Sequence, residues 1–74
     1  MNEKIQKYAK DSLKADLQLC DEAEQHMFKR MYAKGKMELT IDEVVDNMDE
    51  TNLDRAMDQV QRTLDRKLIN SLDN

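Results

Sequence analysis

Leu39-Thr40-Ile41-Asp42-Glu43-Val44-Val45-Asp46-Asn47-Met48-Asp49-Glu50 is the stretch from which the fold is read. Thr40 followed by Glu43 has capping-box spacing. The threonine hydroxyl can accept from the amide of residue 43 while the glutamate carboxylate reaches back to that of residue 40. Leu39 and Val44 stand at the two staple positions that fix how the chain enters a helix. Ile41, Val44, Val45 and Met48 recur at i, i+3, i+4 and i+7, so one side is apolar. The other side holds Asp42, Glu43 and Asp46, and no lysine or arginine occurs between Lys36 and Arg55. The spacing predicts a short capped helix over about 41–48.

Upstream, about 2–34 reads as one long helix. It contains no glycine or proline, and Gly35 stands where a left-handed residue would end it. Lys29, Arg30, Lys34 and Lys36 lie near that end, where positive charge favours the helix dipole. At 100° per residue, Ala9, Leu13, Leu17, Cys20, Met27 and Met31 share one face, flanked by Phe28. A second line runs Ile5, Tyr8, Ser12, Ala15, Leu19, Ala23 and His26, with the mixed three-and-four spacing of a coiled-coil seam.

Downstream, Asp49 and Thr51 are alternative caps for a helix over about 52–72. Leu53, Met57, Val60, Leu64 and Leu68 form its stripe, with Ala56 and Leu72 at the margins and Ile69 well off it. Asp58 and Arg62 form a favourable i,i+4 pair. The expected architecture is all-α: a long N-terminal helix, a short capped helix and a medium C-terminal helix forming a helical hairpin or three-helix bundle. At 1.5 Å per residue the first helix would be about 50 Å long and the last about 30 Å. Folded back antiparallel, the last would cover only part of the first. It would bring Arg62, Arg66 and Lys67 near Asp16, Asp21 and Glu22 and leave the stretch from Ile5 to Leu13 uncovered.

Seventy-four residues make one domain, 1–74, at a size where a single core is only just sufficient. Proline is absent, glycine occurs once and only three residues are aromatic, a composition that favours helices over sheets. The single Cys20 excludes an internal disulfide framework and fits a reducing compartment. No apolar run reaches signal-peptide or membrane-span length, so a soluble, cytoplasmic chain with no membrane partner is expected. The net charge of −4 is uneven. Residues 1–36 hold eight Lys/Arg against six Asp/Glu, and residues 37–74 hold four against ten.

The residue inventory argues against catalysis and bound cofactors. His26 follows Glu22 by one turn, but Cys20 and His26 point apart on a helical wheel. One cysteine and one histidine fall short of the usual structural zinc set. The acidic run places Met48 and Leu53 where a calcium loop needs oxygens. Lys4, Lys7, Lys10 and Lys14 could track phosphates, yet Glu3 and Asp11 interrupt them, and direct nucleic-acid binding is not expected. The second helix of a helix-turn-helix reading would begin Leu53-Asp54-Arg55-Ala56-Met57-Asp58, which suits a phosphate-lined groove poorly.

What remains is surface for a partner. Met27, Met31, Met37, Met48 and Met57 are expected to converge near the bend, as core filling or as an adaptable contact. Glu38, Asp42, Glu43, Asp46, Asp49 and Glu50 form a candidate docking patch for a protein with a basic surface. Ile5, Tyr8, Ala15 and Leu19 are the candidate homodimer contact. A small, acidic, Met-rich helical chain without enzyme motifs has the general style of phage or accessory proteins that bind and disable a larger host protein. The expected function is a non-enzymatic module that inhibits or regulates a larger protein by covering its surface. The alternative is an acidic mimic of nucleic-acid phosphates that occupies a basic DNA- or RNA-binding site.

Overall fold

A computed structural model describes residues 3–72 and contains four helices: α1 (Glu3–Gln18), α2 (Glu22–Tyr32), α3 (Ile41–Asp46) and α4 (Glu50–Leu72). The all-α architecture is as the sequence predicts. The expected single helix over 2–34 is not. Its start at Asn2 lies outside the described residues, and it breaks at Leu19-Cys20-Asp21.

The break has a local cause. Asp21 accepts from the Glu24 amide and Glu24 Oε1 accepts from the Asp21 amide, each at 2.8 Å, a complete capping box. Upstream, α1 tightens as it ends, with Leu19 N–H donating to Asp16 O and Cys20 N–H to Leu17 O. Gln25 then donates its side-chain amide to Leu17 O at 2.8 Å and to Cys20 O at 3.3 Å. Leu17 O thus takes a second bond beside that from Cys20 N–H, and Cys20 O, at the helix terminus, gains a partner. This stop needs no left-handed residue. At the far end of α2 the chain does use that conformation, with Lys34 at φ 54° and Gly35 at φ 84°.

Tyr32 donates its hydroxyl to Gln59 Oε1, and Lys67 pairs with Glu24, so α2 runs antiparallel to α4. Lys67 Nζ also donates to Leu19 O at 3.4 Å. Asp46, shortly before α4, lies against Lys10 and Lys14. The end of α1 is therefore near the end of α4, and the two run in the same sense.

The core is α1 against α4 and α3, centred on the fully buried Leu13, Leu17, Val45 and Leu53. Ala9, Cys20, Phe28, Val44, Ala56 and Val60 extend it. The chain spans 40 × 28 × 16 Å with a radius of gyration of 12.7 Å. A compact chain of this length would have roughly 11 Å, so the molecule is flat and much of its surface is helix face.

Two stripe expectations need correction. Met27 and Met31 do not continue the α1 core face; they are 64% and 53% exposed while Phe28 is 5%. The break restarts the helical phase, so the buried direction of α2 passes through Phe28. In α4 the buried line runs through Leu53, Ala56 and Val60, with Met57 and Leu64 only partly buried and Leu68 exposed. Ala56, with no exposed surface, permits a close helix approach that a larger side chain would prevent. The methionines therefore do not converge: Met48 is buried, Met37 and Met57 are half-buried, and Met27 and Met31 face solvent.

Candidate functional site

The acidic segment is held by the capping box its sequence announces. Thr40 Oγ1 accepts from the Glu43 amide at 3.2 Å, and the Thr40 amide donates to Glu43 Oε1 at 2.9 Å. Those bonds, the backbone amide of Thr40 first, hold the Glu43 carboxyl below its usual range. Asp49 takes the cap of α4, accepting from the Asn52 amide at 2.8 Å, which decides between the two candidates for that role. Asp46 is bound across the fold: its Oδ1 lies 2.7 Å from Lys14 Nζ and its carbonyl accepts from Lys10 Nζ at 2.9 Å. The hydrogen bond to Asp46 pushes the Lys14 ammonium pKa up, and Asp42 adds its field.

All six carboxylates, Glu38, Asp42, Glu43, Asp46, Asp49 and Glu50, are exposed. Three of them serve the fold, and two lysines of α1 stand beside them. Lys10 and Lys14 are thereby removed from the lysine line along the outside of α1.

The outer side of α1 carries a line of exposed apolar side chains. Tyr8 is 76% exposed, Leu19 66% and Ile5 54%. Ala15 is exposed between Tyr8 and Leu19.

A second surface was not foreseen from the sequence. α2 packs more closely on α3 than on α4, and a groove of about 320 Å³ runs between α2 and α4. Its floor is Leu17, Cys20, Phe28 and Val60; Met27 and Met31 form one wall, Thr63, Arg62 and Arg66 the other. Polar clasps close both ends: Lys67 Nζ to Glu24 Oε1 at 2.8 Å, and the Tyr32 hydroxyl to Gln59. The lysine, then the Asp21 amide, holds the Glu24 carboxyl below its usual range. Of the basic residues expected near Asp16, Asp21 and Glu22, Lys67 reaches this corner but takes Glu24, while Arg62 pairs with Asp58 at 3.1 Å within α4.

Burial pushes the Cys20 thiol pKa up, which leaves it a poor nucleophile at neutral pH. His26 is exposed on α2. Among the described residues no group of three His, Cys, Asp or Glu is placed to hold a metal ion, and no helix is long and apolar enough to cross a membrane. Comparison with protein-family models, curated proteins and solved structures gave no match.

Proposed function

We propose that this chain is a non-enzymatic helical interaction module that covers the surface of a larger protein and thereby inhibits or regulates it. The observation that carries the reading is the set of exposed large apolar side chains on α1, α2 and the end of α4, Leu68, Ile69 and Leu72 among them. Tyr8, Leu19, Met27 and Met31 are each more than half exposed in a chain with only a small core. Exposed apolar side chains that adjoin, as Met27 and Met31 do about one turn apart on α2, mark an interaction site. Its setting is a reducing cytoplasm, in which Cys20 stays a free, buried thiol. The α1 face of Ile5, Tyr8, Ala15 and Leu19 pairs with a second copy, giving a homodimer that leaves α2 and α4 available.

The phosphate-mimic reading has less support. Glu43 and Asp49 are committed to helix caps and Asp46 to Lys14, so the row of negative charge is short and flanked by lysines.

The test is recovery of the partner from native cells, followed by titration of the purified complex with salt. An apolar contact survives moderate salt and survives Glu38→Lys with Asp42→Lys, two exposed carboxylates that serve neither a helix cap nor the Lys14 ion pair. A mimic loses most of its affinity as charges are screened over about 8–10 Å, and it competes with nucleic acid. Turnover of a small substrate that Cys20→Ala or His26→Ala abolishes overturns the reading.

A further inference from the structure

The groove between α2 and α4 has a chemical character opposite to that of the chain as a whole. The protein carries a net charge of −4. Arg62 and Arg66 nevertheless stand on the groove's α4 wall, Arg62 in an exposed ion pair with Asp58, and Arg30 and His26 lie just beyond the Met27–Met31 ridge. The one carboxylate lining the groove, Glu24, is already neutralised by Lys67. The acidic residues of the α3 segment are absent from its lining.

We infer that this groove receives the apolar face of an acidic amphipathic helix from the partner protein. The inference rests on the interaction-module reading and names the site and the chemistry of what it binds. Three features select that occupant. At about 320 Å³, the groove is at the bottom of the range of about 300–1,000 Å³ typical of small-molecule sites. Its methionine wall is largely solvent-exposed, which suits side chains laid in from outside better than an enclosed ligand. No strand occurs among the described residues, so a partner strand has no sheet edge to extend, and an apolar groove between two helices suits helix-in-groove recognition. The clasps are eight residues apart along α2, from Glu24 to Tyr32, or about 12 Å at helical rise. That length matches anchors at i, i+4 and i+7 of a docked helix. Methionines adapt to such anchors because the unbranched thioether can be repacked without strain. Arg66, and Arg62 in exchange for its exposed pair with Asp58, then meet carboxylates on the flank of the docked helix, where a guanidinium can bind bidentately.

The experiment uses the full chain with methyl-labelled methionine and a series of amphipathic helical peptides, identical on the apolar face and graded from basic to acidic on the other. Nuclear magnetic resonance titration should shift the Met27 and Met31 methyls while leaving Met48 in place, with affinity rising as the peptides become more acidic. Arg62→Glu with Arg66→Glu should weaken the most acidic peptide at least tenfold and strengthen the basic ones. Both arginines are exposed, and loss of the Arg62–Asp58 pair is a small surface effect, so the melting temperature should fall only slightly. Met31→Glu should abolish binding while the fold persists.

Absence of binding across the series, or binding indifferent to the arginine reversal, overturns the inference. Laurate is titrated in parallel; if it shifts the same methyls and displaces the peptides, the groove is an acyl-chain site and the helix assignment fails. If a native partner is recovered but protects the outer face of α1 and leaves Met27 and Met31 unshifted, the groove assignment fails while the interaction-module reading stands.

Discussion

Asp21→Ala tests the feature on which the architecture turns. The substitution removes the side chain that accepts from the Glu24 amide, at a cap where loss of an aspartate costs about 1 kcal/mol within a range of about 0.5–2. Alanine also favours a continuous helix through the break by up to about 0.7 kcal/mol relative to aspartate. Opposing a straightened helix is the burial of Phe28, 5% exposed; burying such a side chain is worth about 1.5–3 kcal/mol. The burial outweighs the propensity. The variant should therefore stay bent and folded but lose about 1 kcal/mol, which lowers the melting temperature by about 4–8 °C in a domain of this size. Asp21→Asn and Asp21→Ser should melt close to the parent, because both side chains cap nearly as well. Calorimetry or circular dichroism measures the series. Equal melting of the alanine and asparagine variants refutes the cap as the cause of the break. A gain in helicity with loss of Phe28 burial shows that propensity outweighs packing.

Leu53→Ala removes a side chain with no exposed surface. It should cost about 2–5 kcal/mol against a total of roughly 4–11 for a chain of this length, whereas Leu68→Ala, at 60% exposure, should stay within about 0.5; denaturant midpoints distinguish them. Glu24 and Glu43 have carboxyls held below their usual range by Lys67 and by the Thr40 amide. Their stabilisation is complete above the ordinary glutamate value of about 4.3 and is lost as the pH falls through the depressed folded values. Glu24→Gln with Glu43→Gln keeps both capping boxes but should flatten the loss of stability with acid, read as denaturant midpoints on either side of that value. Leu19→Lys and Tyr8→Lys should leave the melting temperature of dilute protein unchanged and convert a dimer to monomer in light scattering; a parent already monomeric at micromolar concentration removes the dimer. Under mild peroxide, Met27 and Met31 should oxidise well before Met48, as peptide mass spectrometry would show.

The short helix and its flanks were legible because their signals are local. Thr40 and Glu43, and the alternation of Ile41, Val44, Val45 and Met48, act within two turns, and nothing distant competes with them. The same capping-box spacing stands at Asp21 and Glu24, where the periodicity of a helix over 2–34 runs straight through. No glycine or proline marks the stop, and the apolar stripe from Ala9 to Met31 continues on paper. Beside the capping box, a side-chain amide, Gln25, folds back onto carbonyls eight and five residues earlier at the end of α1, and such a contact has no signature in periodicity. The acidic run was visible as composition. Its pairing with Lys10 and Lys14 depended on how α3 returns to α1, a tertiary contact that helical spacing leaves open. The outer line of α1 was legible as a second stripe because α1 itself is regular.

The groove follows from the break. A straight helix over 3–32 would be about 45 Å long, more than the 40 Å longest dimension of the molecule, and would keep Met27 and Met31 in line with Leu13 and Leu17. Restarting the helix at Asp21 turns Phe28 inward and both methionines outward. Lys67 then bridges Leu19 O and Glu24, holding α4 beside the new start. α2 meets α4 at the two clasps, and the space between them stays open over an apolar floor. A stop built from polar side chains thus sets which apolar residues the chain hides and which it presents. A substitution at Asp21 should therefore change the methionine surface before it changes the α1–α4 core. If the groove binds a helix, the cap, the arginines and the methionines act on one binding constant through separate causes: phase, charge and contact. Asp21→Ala, which keeps the bend but starts α2 less firmly, should weaken an acidic peptide modestly without altering its preference over a basic one, whereas Arg66→Glu should reverse that preference.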